Sequence, residues 1–255
     1  MRKTASGTPR GRGGSALARR GFLASAATIP LATGAEAQPD PAAAPAAAAA
    51  PPAAAAASPA AGYQFFGVEE AAFVEAMVDH MWPADDLTVS GTDLGIAVYI
   101  DRQLAGAFGQ GDRLYMQGPW RRGTPQHGWQ VPMTPAEFFR AGLAAAAAAC
   151  RARFANRTFD RLNAEEKQAF LTDIAAGRVQ SPRVNLGQWF NMLVYPLFTE
   201  GAFSDPIYGG NRDKAAWRMI GYPGLPAVYA VPDIVAHCGR RHPAPANPRS
   251  IADLS

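Results

Sequence analysis

The sequence predicts a mostly α protein: an irregular helical domain with long ordered loops, preceded by a disordered Ala/Pro-rich tether. Three observations carry that prediction. Apolar residues recur at helical spacing through much of residues 63–238. Helix-start signals of the capping-box kind precede two of the stripes. Alternating polar and apolar runs, which a half-buried strand needs, are scarce.

Residues 1–37 read as a twin-arginine signal peptide. Arg19 and Arg20 precede Gly21, Phe22 and Leu23 and a moderately apolar run to Leu31. Ala35-Glu36-Ala37 then offers the small residues a signal peptidase accepts, with Ala35 and Ala37 at the key positions. Ala18 and Ala24 stand where Ser or Thr and Lys are common. Thr28, Pro30 and Thr33 interrupt the run, which falls short of the roughly 18–20 continuous apolar residues of a membrane anchor. Removing the leader reverses the charge. The whole chain carries 24 Lys+Arg against 21 Asp+Glu, whereas the residues after 37 carry 18 against 20. The basic balance belongs to the leader, and no nucleic-acid partner is expected.

Residues 38–62 form the linker. They are almost entirely Ala and Pro and bury too little to offset the entropy of ordering. A passive spacer, extended by its prolines, is the expected role.

The helical domain is expected over residues 63–238, with a flexible Pro- and Arg-rich tail over 239–255. Phe66, Phe73, Met77 and Met81 predict a first helix, with Glu69 and Glu70 in its first turn and Pro83 ending it. Thr92 predicts the cap of a second, striped by Ile96, Ile100, Leu104 and Phe108. Thr134-Pro135-Ala136-Glu137 is a capping box with proline at the first helical position, and its helix runs to about Phe154. Asn163 with Glu166 repeats the box, and Gly177 suits the stop. Leu186 to Phe203 reads as a helix bent at Pro196, and Arg212 to Ile220 as a shorter one closed by Gly221 and Pro223.

Two irregular segments, Gly109–Pro132 and Ser204–Asn211, lie between helices. Loops of the first kind are uncommon in compact domains unless they bind something, and their Trp and Tyr argue against disorder.

Catalytic and cofactor signatures are missing from the sequence. No G-x-G-x-x-G, C-x-x-C-H, H-E-x-x-H or G-x-S-x-G motif occurs, and two cysteines cannot hold an iron–sulfur cluster. Cys238 and His242 are metal-ligand types without a third and fourth partner nearby. His80 reads as a packed residue on the first helix. Asp85 and Asp86 read as turn formers, although with Asp205 they are the acids on which an independent exported hydrolase would rest. A free-standing periplasmic chaperone or binding module is the other alternative.

The segments MWPADDLTVSGTDLGIAVYIDRQLAG, GPWRRGTPQHG, TPAEFFRAGL, FDRLNAEEKQAFL and, above all, WFNMLVYPLFTEGAFSDPIYGGNRDKAAWRMIGYPG resemble the gluconate 2-dehydrogenase subunit 3 family. The resemblance spans nearly all of Phe65–Gly224. It implies a non-catalytic small subunit of a periplasmic sugar or sugar-acid dehydrogenase. The implied partners are a large glucose-methanol-choline-type subunit carrying FAD and a multihaem cytochrome c subunit carrying haem c. The chain itself would hold no cofactor. Its role would be to escort the folded flavin subunit through the twin-arginine translocase to the periplasm, at the inner membrane. Asp205, Pro206, Tyr208, Gly209, Gly210 and Asn211 read either as a helix-linking loop or, as the resemblance implies, as a docking loop for the flavin subunit. Trp82, Trp120, Trp189 and Trp217 are each core residue or interface anchor, with Trp120 favoured as interface by its Gly/Pro-rich surroundings. Cys150 has three outcomes: a bridge to Cys238, a buried free thiol, or an intersubunit disulfide, the last being the one the resemblance favours.

Overall fold

The computed structural model describes residues 62–121, 123–226, 231–240 and 245–254. The signal residues Arg19, Arg20, Phe22 and Leu23, the cleavage residues Ala35 and Ala37, the linker through Ala61, and His242 lie outside the described residues. Among those described, the secondary structure is helical and no strand occurs. None of their helices is long and apolar enough to cross a membrane.

Helix α1 (Val68–Met81) buries Phe73, Val74, Met77, Val78 and Met81. The Glu70 carboxylate accepts the Gly67 N–H at 2.9 Å and so satisfies a main-chain donor at the helix start. Helix α2 (Ile96–Ala105) starts later than Thr92 predicts. Its N-cap is Gly95 at φ 88°, while the Thr92 N–H is taken by Asp79 at 2.7 Å. The apolar stripe also ends sooner. Gly106 breaks the helix, so Phe108 falls on the separate turn α3 (Ala107–Gln110) and is exposed.

Helix α4 (Pro135–Arg153) opens on the predicted box: Thr134 Oγ1 accepts from Glu137 N, and Glu137 accepts from Thr134 N at 2.8 Å. Helix α5 (Ala164–Ala175) opens in the same way on Asn163 and Glu166. The stretch predicted to bend at Pro196 is three pieces: α6 (Leu186–Trp189), a π-helical turn (Phe190–Val194) and α7 (Tyr195–Phe203). The wider turn precedes Pro196, the residue that cannot donate to the helical ladder. Helix α8 (Ala215–Ile220) ends at Gly221 with φ 71°, and α9 (Val231–His237) follows.

The core is aromatic. Phe65, Phe66, Phe139 and Trp189 contact one another in series across the segment before α1, α4 and α6, and Phe73, Phe159 and Phe170 do the same between α1 and α5. Trp189 lies against Gly142 of the alanine-rich α4, where a Cβ would collide with the indole. Its Nε1 donates to the Phe139 carbonyl at 3.1 Å. Helices α2 and α7 also approach closely, because Gly201 leaves room for Ile96 and Tyr99.

Candidate functional site

The loop between α7 and α8 is built from its main chain outward. Asp205 caps a 3₁₀ turn (Pro206–Tyr208), with Oδ1 accepting from Ile207 N at 3.1 Å. Gly209 and Asn211 then take left-handed backbone angles, φ 98° and 45°. Asn211 is fully buried and makes contacts in both directions along the chain. Its N–H donates to the Gly201 carbonyl and its Nδ2 to the Ser204 carbonyl, both near the end of α7. Its Oδ1 accepts from Ala216 N in the first turn of α8 at 3.0 Å. One side chain thus satisfies the end of one helix and the start of the next.

The predicted docking residues therefore divide. Gly210 and Asn211 are buried within the chain. Gly210 is a spatial requirement, since a Cβ there would collide with the Gly201 carbonyl. Asp205 is committed to main-chain donors, its Oδ2 accepting from Ile251 N at 2.7 Å. What the loop leaves outward is Tyr208, half exposed, and its neighbour Ile207, which the sequence pattern does not single out.

Residues 245–254, assigned by composition to the tail, make defined contacts behind this loop. Leu225 N donates to Arg249 O at 2.9 Å, and Lys214 Nζ pairs with Asp253 at 2.9 Å. The Asp253 carboxyl is held below the ordinary range by the Lys214 ammonium and the Ser250 N–H. Asp213 and Lys214 also have positive φ, so non-glycine residues in left-handed conformations are concentrated between Asn211 and Lys214. Such conformations persist where surrounding contacts over-determine them.

A second constellation sits where the linker enters. Asp101 of α2, buried, accepts from Gln64 N at 2.7 Å, Phe65 N at 2.8 Å and Phe66 N at 2.9 Å. Arg140 stacks over the Phe65 ring, donates to the Phe65 carbonyl at 2.8 Å and pairs with Glu70 at 3.1 Å. Tyr63 donates to Glu75 at 2.7 Å, and burial together with that bond pushes its phenol well up. Asp101 was detectable as an acid on the apolar face of α2, beside Ala97, Ile100 and Leu104.

The tryptophans also divide. Trp82, Trp189 and Trp217 are core residues, and each indole N–H finds a partner: Thr88 Oγ1, the Phe139 carbonyl and the Phe203 carbonyl. Trp120 is only part-buried. Its loop carries Tyr115, which is largely exposed, and Trp129, which packs edge-on against Phe138.

The position of Cys150 disfavours the intersubunit disulfide. Cys150 lies fully buried on α4, its Sγ directed at the Arg157 carbonyl at 3.7 Å, and burial pushes its thiol up. The small-residue face that suggested approach by another chain turns Ala146 and Cys150 into the core. Cys238 is exposed, and the two thiols are unbridged. This burial suits the free-thiol outcome.

Asp85 and the first histidine have local partners. Asp85 Oδ1 accepts from Leu87 N and Thr88 N, a turn-forming role. His80 bonds Gln168 at 3.0 Å, and burial lowers its pKa. It borders an open groove of about 500 Å³ with Glu75, Asp79, Asp160 and Lys167. Among the described residues, no three His, Cys, Asp or Glu side chains converge as a metal site.

Against known proteins, the family described as gluconate 2-dehydrogenase subunit 3 matches residues 68–224. No curated protein and no solved structure matches the chain.

Proposed function

The chain belongs to the gluconate 2-dehydrogenase subunit 3 family, and from that premise we propose that it is the non-catalytic small subunit of a periplasmic, FAD-dependent sugar or sugar-acid dehydrogenase. It escorts the folded flavin subunit through the twin-arginine pathway and then stabilises it beside a multihaem cytochrome c subunit at the inner membrane. One observation carries the reading: a single chain joins a body of this family to a leader with Arg19 and Arg20 ahead of Phe22 and Leu23. A flavin is inserted into a folded protein, so its carrier must cross folded. A partner that supplies the address solves that problem without holding a cofactor itself.

Two further features support an escort. The domain's first residues are fastened to α2 and α4 by Asp101 and Arg140. The loop carrying Ile207 and Tyr208 is held by Asn211 and Asp205 in a fixed form, as a docking element requires. An independent hydrolase is disfavoured by the acids it would need, since Asp85 and Asp205 already serve main-chain donors.

Affinity purification from the native periplasm and membrane tests the proposal. A yellow flavoprotein retained in equimolar amount is the expected result. A colourless protein with hydrolase activity would overturn it, and a client that leaves on washing would mark a free-standing chaperone instead.

A further inference from the structure

We infer that this chain grips the flavin-carrying partner through a preformed patch of Arg102, Arg212, Ile207 and Tyr208, and that the patch receives a carboxylate-bearing surface of that partner. The inference rests on the subunit reading above and goes beyond it by naming the residues of contact and the chemistry opposite them.

The two arginines come from different elements and meet at one turn of main chain. A Cβ on Gly209 would lie 2.7 Å from Arg102 Nη1 and 3.1 Å from its Cζ, so the guanidinium of α2 lies along the Gly209 turn. A Cβ on Gly95 would lie 3.0 Å from Arg212 Nε and would also collide with the Gly209 carbonyl. Both glycines have positive φ and no side chain, and both are needed for these approaches. Arg212 is locked to the start of α2 by its own N–H, which donates to the Leu94 carbonyl at 2.9 Å.

Both arginines are exposed, and neither pairs with a carboxylate among the described residues. Arg183 also lacks a carboxylate partner among the described residues, so what sets Arg102 and Arg212 apart is their convergence on one turn. Arg140, Arg151, Arg153, Arg157 and Arg178 all have a Glu or Asp partner within 3.3 Å. Two like charges brought to one turn repel each other, and an opposing carboxylate relieves that repulsion. Arg also binds carboxylates through a planar fork that Lys lacks.

Ile207 and Tyr208 make the surface suited to a folded protein. They stand 42% and 50% exposed on the 3₁₀ turn beside the arginines, a Tyr–Arg combination typical of interface anchors. The turn is set in advance by the buried Asn211, by Asp205 on Ile251 N, and by Lys214 on Asp253. A patch ordered before contact loses little entropy on binding. A lipid surface would favour a long amphipathic helix over a three-residue turn.

The test uses the complex as purified. Flavin retained on the immobilised chain is titrated against protein concentration and salt for wild type, Arg102→Gln, Arg212→Gln, the double Glu variant, Tyr208→Ala and, as a charge control, Arg183→Gln. Thermal melts confirm that each variant is folded. Neutralising either arginine should weaken retention roughly tenfold, charge reversal should do more, and the salt dependence should flatten with each lost charge. Arg183→Gln should match wild type. Arginine variants that hold flavin with wild-type affinity and salt response would overturn the inference and leave the subunit reading intact. A wild-type chain that retains no flavoprotein would overturn both. Binding of wild type, but not of the arginine variants, to phosphatidylglycerol vesicles would assign the patch to lipid and overturn it as a protein contact.

Discussion

The Asp101 carboxylate accepts three consecutive main-chain N–H groups from a position at which it is 1% exposed. Removing it would strand the buried Phe66 N–H and take an acceptor from the part-buried Gln64 and Phe65 N–H groups. Asp101→Ala should therefore cost about 1–3 kcal/mol of unfolding free energy, the cost of one stranded buried donor. Asp101→Asn should cost less, since one carbonyl oxygen still accepts while its amide faces another donor. Urea titrations of the three proteins check the order. The thiols give a second residue-scale prediction. Cys150 is buried and its thiol is pushed up, whereas Cys238 is exposed. Iodoacetamide should add one equivalent to the native protein, at Cys238, and two after unfolding, read by mass spectrometry. Addition of two equivalents before unfolding would contradict the packing of α4.

At the scale of elements, the two capping boxes were legible because the signal is local: Thr134 with Glu137 and Asn163 with Glu166 decide α4 and α5 within four residues. The start of α2 was not, because Thr92 is diverted by Asp79, a residue of another helix. Nor was the division of the docking loop, because burial of Gly210 and Asn211 is set by Gly201 and Ala216 across the turn. The sequence marked the loop as special but could not show which side chains face outward. The C-terminal segment behind it yields a pH prediction. Asp253 is held below the ordinary carboxyl range in the fold, so its stabilising contribution is complete above that range and is lost as pH falls through the depressed value. Measured against the intrinsic rate at each pH, hydrogen exchange at the Ile251 and Leu225 amides should therefore quicken below about pH 4. Asp253→Asn should quicken it already at neutral pH. Equal exchange in wild type and variant would show that the Lys214–Asp253 pair does not hold the segment.

For the whole molecule, the proposal is that a leader, a linker and a helical body combine to deliver a folded flavoprotein across a membrane. The body belongs to a family of dehydrogenase subunits, and Arg19 and Arg20, the proposed address, precede it. Those two parts make a joint prediction that neither makes alone. If the chain is an escort, its paired arginines govern the location of a second protein as well as its own. The decisive measurement is the distribution of flavoprotein between cytoplasm and periplasm in cells carrying Arg19→Lys with Arg20→Lys. Both this chain and the flavin-containing partner should stay in the cytoplasm, with the partner folded and flavin-loaded. A partner that still reaches the periplasm at the wild-type level while the small subunit is held back would contradict the escort role.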